Sequence, residues 1–246
     1  MRKKLREAFY IGVFDALPIL RDPILLAFLG LISFIPVIFM FVLMPDRNNA
    51  IGALVGAIVL TLSFTGILAS QSIYYNKHVS RYQDMLVASQ VTPFSYALGL
   101  TMGTVIISLP ALALSYAFLL VSKPVGPLEF LLSLAASLLL WISMVFLGFA
   151  IGSSTRNVRR ANSVPQIVSF MLGFIPPVYY PLAAIPEVAR PIAMLIPTTD
   201  AAELAKYYFG LVSMSQAEII FAWVYLALFA VAMAYLTTRK ARWVDP

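Results

Sequence analysis

The chain has 246 residues, 61% of them hydrophobic and only 11% charged, with a net charge of +6 and no cysteine. That composition leaves little material for a water-facing surface and excludes disulfides, thiolate nucleophiles and cysteine metal sites. In so apolar a chain the basic excess belongs at the ends of membrane spans, beside anionic headgroups, rather than to a nucleic-acid surface.

Residues 3–17 place Leu5, Ala8, Phe9, Gly12, Val13 and Ala16 near one face at helical spacing, with Arg2, Lys3 and Arg6 toward the ends and other faces. The segment 1–22 therefore reads as an interfacial helix on the cytoplasmic leaflet, not a span, and its interrupted apolar stretch does not suit a cleavable signal peptide. Pro18 and Arg21-Asp22-Pro23 break it. Six apolar runs follow, at about 24–44, 51–73, 95–121, 128–151, 162–180 and 217–237. Each approaches or exceeds the roughly 20 residues that a helix needs to cross a hydrocarbon core. Backbone amides cannot go unpaired in lipid, so runs of this length predict helices, whereas a barrel would show alternating segments of about ten residues.

The predicted fold is an all-α membrane protein of six transmembrane helices, a single domain over 1–246. With both termini in the cytoplasm, Arg2, Lys3, Lys4, Arg6, Arg21, Lys77, Arg81, Arg156, Arg159, Arg160, Arg239, Lys240 and Arg242 lie inside. Only Arg47, Lys123, Arg190 and Lys206 lie outside. This asymmetry predicts a multi-pass protein of the cell membrane with an even number of crossings.

Between the second and third runs, residues 74–93 form the largest cytoplasmic feature, predicted as a short amphipathic helix ended by a turn at Thr92-Pro93. Outer turns are expected at Met44–Asn49 and Ser122–Pro127, and a basic inner loop at Ser153–Arg160. Residues Ile175 to Gln216 are apolar yet broken by Pro176, Pro177, Pro181, Pro186, Pro191 and Pro197, too many prolines for a continuous span. A re-entrant element over 181–212 is predicted instead, a pair of short helices at roughly 182–195 and 198–210.

The chain contains no Gly-Lys pair, so the phosphate loop of an ATPase is absent. His78 is the only histidine, which leaves Ser–His and zinc-protease chemistries without parts. The cores of the six runs lack Asp, Glu, Lys, Arg and His, an unfavourable composition for coupling to protons or sodium. No internal repeat is evident, unlike many secondary transporters. Hydroxyls inside the runs, among them Thr61, Thr65, Ser143 and Ser169, suit either helix packing and their own backbone or a polar route. The outer acids Glu129, Asp200, Glu203 and Glu218 suit either headgroup-level solvation or a cation-attracting mouth. Gly52/Gly56, Gly99/Gly103 and Gly148/Gly152 are spaced for close helix–helix approach.

In this order the pieces resemble the membrane subunit of the type-2 ATP-binding-cassette exporters, the ABC-2 permeases. Arg21-Asp22-Pro23 after an interfacial helix is similar to that family's opening. Tyr82-Gln83-Asp84-Met85-Leu86-Val87-Ala88-Ser89, then Thr92-Pro93 and Tyr96-Ala97-Leu98-Gly99, resembles its first intracellular loop. Pro177-Val178-Tyr179-Tyr180-Pro181-Leu182, Ile185-Pro186-Glu187 and Leu195-Ile196-Pro197-Thr198-Thr199 resemble its proline-rich re-entrant element. Many members carry a Glu-rich coupling loop with Gly-Thr; here Asp84 is the main acid, and Gln90 stands where a Ser-Pro step is common.

The resemblance implies a permease subunit of an ATP-driven exporter that moves an amphipathic or hydrophobic substrate, such as a drug or lipid, outward. It implies a second permease subunit, in a homodimer or heterodimer, and a separate ATPase subunit that binds ATP and Mg, with no cofactor and no catalysis in this chain. Arg81, Asp84, Met85 and Leu86 would couple to the ATPase, and the interfacial helix, with Leu5, Phe9 and Val13, would be a second contact. Tyr179, Tyr180 and Pro181 would shape an outer gate. The alternative is a gradient-driven secondary transporter or channel.

Overall fold

The structure is a computed structural model that describes residues 2–43, 47–89 and 91–240. The turn residues Met44, Pro45 and Asp46, together with Gln90 and Arg242, lie outside the described residues, as do the side chains of Arg2, Lys3, Arg47, Asp84, Arg239 and Lys240. Ten α-helices run through the described chain: α1 (Arg2–Leu20), α2 (Pro23–Leu43), α3 (Arg47–His78), α4 (Tyr82–Ala88), α5 (Pro93–Ser122), α6 (Pro127–Ser154), α7 (Val158–Phe174), α8 (Arg190–Met194), α9 (Pro197–Tyr208) and α10 (Gln216–Lys240). Two single 3₁₀ turns, Leu182–Ala184 and Glu187–Ala189, precede α8.

Among the described residues, four helices are long and apolar enough to cross a membrane: Asn48–His78 in α3, Leu98–Ser122 in α5, Pro127–Ser154 as α6, and Gln216–Thr237 in α10. The first and fifth predicted runs correspond to α2, with 21 residues, and α7, with 17. The fifth run was expected to reach residue 180; α7 ends at Phe174, because Pro176 and Pro177 cannot donate the amides that a continuing helix requires. The expected outer helix at 182–195 is likewise broken into two 3₁₀ turns and the five residues of α8 by Pro186 and Pro191. The second, expected at 198–210, is α9.

Helix α3 is the hub, buried along almost its whole candidate span and packed against α2, α5, α6 and α7. Helix α10 closes on α6, while α9 inserts among α3, α6 and α10. Outward faces are apolar: Ile24, Phe28, Leu31 and Ile38 on α2, and Ile220, Val224, Leu228 and Val231 on α10, are all exposed. A helix bearing such a face belongs against hydrocarbon, and the chain is a multi-pass membrane protein.

Small residues govern how closely the helices meet. A Cβ on Gly148 would lie 2.7 Å from the backbone oxygen of Gly66, and one on Gly152 would lie 2.7 Å from that of Ser70, so α3 and α6 touch backbone to backbone. The Gly99/Gly103 pair serves a different partner. It receives Gly12 of α1, whose added Cβ would stand 2.7 Å from the Gly99 oxygen. Of the third pair, Gly56 faces the Tyr179 ring, and Gly52 has open space around it. The span hydroxyls of Thr61, Thr65 and Ser143 donate to the carbonyls of Ala57, Thr61 and Leu139 one turn back on their own helices.

Gly148→Val should destabilise the protein by about 1–3 kcal/mol, the usual cost of overpacking a close contact. Gly52→Ala, with open space for its methyl group, should leave the thermal melt in detergent unchanged or slightly raised, since Ala is the better helix former.

Candidate functional site

Functional features gather at the two ends of the bundle. At one end, α1 lies across α5 with Ala8, Ile11, Gly12 and Ala16 buried. Of the residues predicted to mark its interfacial face, Leu5 and Phe9 are about half exposed and Val13 is partly buried. The buried stripe is displaced from the predicted one because the glycine pair of α5 admits Ile11 and Gly12, the narrow side of the helix, and turns the bulkier Leu5 and Phe9 outward.

The connection from α3 to α4 is a tight turn. Arg81 takes a left-handed φ of 51°, unfavourable for a residue with a Cβ, and the Tyr82 amide donates to Ser80 Oγ at 3.3 Å. Arg81 and helix α4 then carry the predicted coupling residues with divergent aims. Arg81 and Met85 are exposed, and Leu86 turns inward against a cluster of Ile11, Ile73, Tyr96, Leu100 and Phe149. The Asp84 side chain is outside the described ones. Tyr82 stacks on Phe14 of α1 with ring centroids 5.1 Å apart, which docks α4 onto α1. A shallow apolar groove of about 540 Å³ runs between them, lined by Val13, Phe14, Leu17, Tyr82, Leu86 and Val91 together with Glu7. Thr92 ends the loop as the N-cap of α5, accepting from the Ser95 amide at 3.2 Å, with Pro93 in the first turn.

Sequence reasoning missed Asp15. It projects from α1 toward α3, where Ser72 and Asn76 hydrogen-bond its carboxyl, and burial pushes its pKa up to about 6 against those bonds. Asp15 also raises the pKa of Tyr82, after burial. A single acid on the mostly apolar face of an amphipathic helix was the available signal.

At the opposite end the chain leaves α7 and runs through residues 175–180 without regular structure, although Pro176, Pro177, Val178 and Tyr179 are buried. The predicted gate residues sit here. The Tyr179 ring packs on Gly56 and stacks with Phe174, Tyr180 Oη donates to the Ile175 carbonyl, and Pro181 leads into the first 3₁₀ turn. The carbonyls freed by this irregular stretch find Lys206 of α9. Its ammonium, only 2% exposed, donates to Pro177 O at 3.0 Å, Tyr180 O at 3.0 Å and Glu203 Oε1 at 2.9 Å, using all three hydrogens. Burial lowers the Lys206 pKa, and Glu203 opposes that fall.

Further bonds seat α9. Thr198 Oγ1 donates to Leu172 O at 2.7 Å, Trp223 Nε1 to Tyr208 Oη at 3.0 Å, and Lys123 Nζ to Gly210 O at 2.7 Å. Gly210, at φ 60°, ends the helix. Its amide reaches Tyr207 O, and that of Leu211 reaches Lys206 O, the paired bonds of a Schellman cap. The Glu203-x-x-Lys206 spacing is the sequence signal for the buried pair, although in the charge pattern alone Lys206 is simply an outer charge.

A bundle of apolar helices with a short loop helix at one end and a proline-broken, lysine-anchored segment at the other is the architecture of a polytopic membrane protein. Residues 45–239, well over half of the chain, match the family described as ABC-2 family transporter protein, and the chain belongs to that family. It is an ABC-type permease. The match takes in α3 to α10, hence both the α4 loop and the Lys206 network. No curated protein matches the chain.

Lys206→Met should cost about 3–5 kcal/mol, because it strands Glu203 as a buried charge. The Glu203→Gln/Lys206→Met double variant should recover part of that loss, as read from melting in detergent. For Asp15, the folded pKa of about 6 lies above the reference 3.8, so ionisation is resisted only in the native state. The stability this carries is full below pH 4 and lost as pH rises through 6, about 3 kcal/mol in all. Asp15→Asn should therefore gain stability relative to wild type between pH 4 and 7, measured as the difference in melting temperature.

Proposed function

We propose that this chain is the permease subunit of an ATP-driven exporter, moving an amphipathic or hydrophobic substrate such as a drug or lipid outward across the cell membrane. In this reading α2, α3, α5, α6, α7 and α10 are the six spans. Both termini are cytoplasmic, and residues 181–212 form the re-entrant element on the outer side. A separate ATPase subunit binds ATP and Mg, and a second permease subunit completes the transport path.

The observation that carries this reading is the form of the α4 loop within a member of the ABC-2 family. A seven-residue helix is fastened to α1 through Tyr82 and to the core through Leu86, while Arg81 and Met85 project. A helix anchored on one side and exposed on the other passes a push from a cytosolic partner to α1, α3 and α5 rather than absorbing it. Asp84 belongs to the same helix and would join Arg81 and Met85 at that contact. On the topology predicted from the sequence, thirteen basic residues fall on the same side of the membrane as this loop, which favours its placement in the cytoplasm. Tyr179, Tyr180 and Pro181 would form the outer gate, where movement of α3 at Gly56 is felt directly by the Tyr179 ring.

Tagged chain purified in mild detergent should bring down a cytosolic ATPase whose hydrolysis is stimulated by the permease. Arg81→Gly combined with Met85→Glu changes only exposed side chains and relaxes the left-handed residue. It should preserve folding while losing at least about tenfold of the ATPase recovery, given about 1.4 kcal/mol per tenfold. Full recovery with the double variant would remove this loop from the contact.

A further inference from the structure

A cavity of about 1030 Å³ opens at the end of the bundle remote from α1, between the segment from Pro181 to Leu195 and the first turns of α10. This volume is ample for a drug-sized molecule, for which pockets run to roughly 1,000 Å³. Its walls are largely apolar, with Leu182, Met194, Leu211 and Phe221 prominent. Among the described residues its charge is lopsided: Asp200, Glu203 and Glu218 line it against the single cation Arg190.

Most of these charges are already engaged. Glu203 holds Lys206, and Glu218 accepts the Ser215 amide at 2.7 Å as part of the cap of α10. Arg190 donates to the carbonyls of Ile185 and Ala183 and stands 3.8 Å from Glu187. Asp200 is the exception. It is 4% exposed, and its Oδ2 is buried with no hydrogen-bond partner. A carboxylate removed from water without a partner is costly. Its place in the first turn of α9 favours an acid electrostatically, but leaves Oδ2 without a donor. Phe221 and Tyr225 stack in parallel beside it, 5.9 Å between centroids, and offer an aromatic face to a positive charge.

We propose that this cavity binds an amphipathic organic cation, with the charged head against Asp200 and the apolar body along Leu182, Met194 and Phe221. An anion of equal size would meet Glu218, and Asp200 once ionised, with Arg190 already engaged by backbone carbonyls. The assignment names the substrate class of the exporter and rests on that reading only in making the occupant cargo. Burial, and then Glu203, push the Asp200 carboxyl up to about 8, so an arriving cation displaces its proton. The ionisable groups around Asp200 are Glu203 and Lys206 on α9, Glu218 and Tyr225 on α10, and Arg190 on α8. Glu129 of α6 turns toward Gly126 instead, and Arg47 of α3 is outside the described side chains.

The test is equilibrium binding of radiolabelled tetraphenylphosphonium to the full-length chain in lipid nanodiscs, with tetraphenylborate as the anion of the same shape and protein-free nanodiscs subtracted. The expected result is saturable binding of the phosphonium alone, tightening from pH 6 to pH 9. Asp200→Asn should weaken it by about tenfold or more and flatten the pH response. Equal binding of both ions, or unchanged affinity in Asp200→Asn, would overturn the site. Should Asp200→Asn fail to fold, the comparison of the two ions and the pH profile of the wild type decide. A chain that binds the phosphonium in this way yet recovers no ATPase upholds the site and removes the exporter reading. A chain that recovers an ATPase and binds neither ion does the reverse.

Discussion

A backbone that leaves helical geometry among apolar side chains frees carbonyls that have no water to turn to, and each must be met by a donor from within the protein. Here the segment after α7 does so across buried prolines, and Lys206 answers it with one ammonium shared among Pro177 O, Tyr180 O and Glu203. Much else at that end follows. Tyr179 is held over Gly56, α9 is fixed among α3, α6 and α10, and Glu203 is occupied, while Asp200 of the same helix keeps a buried oxygen without a partner. A buried ammonium is tolerable only because every one of its hydrogens is used.

The second constraint is steric. Helices without a large side chain at their crossing can approach until their backbones touch, and the chain uses this at α3–α6 and at α1–α5. The two crossings do different work. Gly148 and Gly152 bind together two spans of the bundle core, whereas Gly99 and Gly103 hold a helix that is not itself a candidate span. α1 therefore docks on the span it contacts instead of resting beside it, and Phe14 and Tyr82 join α4 to it.

Helix α3 connects the two ends. Near one it carries Gly56 beneath Tyr179; near the other it carries Ser72 and Asn76, which receive Asp15. It is buried along nearly its whole candidate span, so its position is set by its packing against α2, α5, α6 and α7.

Legibility from sequence followed the range of the interaction. Span-length apolar runs, the charge asymmetry and the proline interruptions are local properties, and they determined the helical class, the positions of the main helices and the breaks at 175–197. The Thr92-Pro93 start of α5 and the three glycine pairs were equally plain, although their partners were not: nothing in Gly99 or Gly103 says that α1, and not another span, fills the groove. Lys206 and Asp15 resemble surface charges when read singly. Only the tertiary structure decided that they are buried, because burial depends on which segments from distant parts of the chain close over a residue. The same holds for the cavity at Asp200, whose walls come from residues 181–195, α9 and α10. The sequence by itself determined that this chain is a helical membrane protein with a proline-broken element, since local hydrophobicity and backbone chemistry suffice for that. Which carbonyl meets which donor, and which acid is left without one, belonged to the packing.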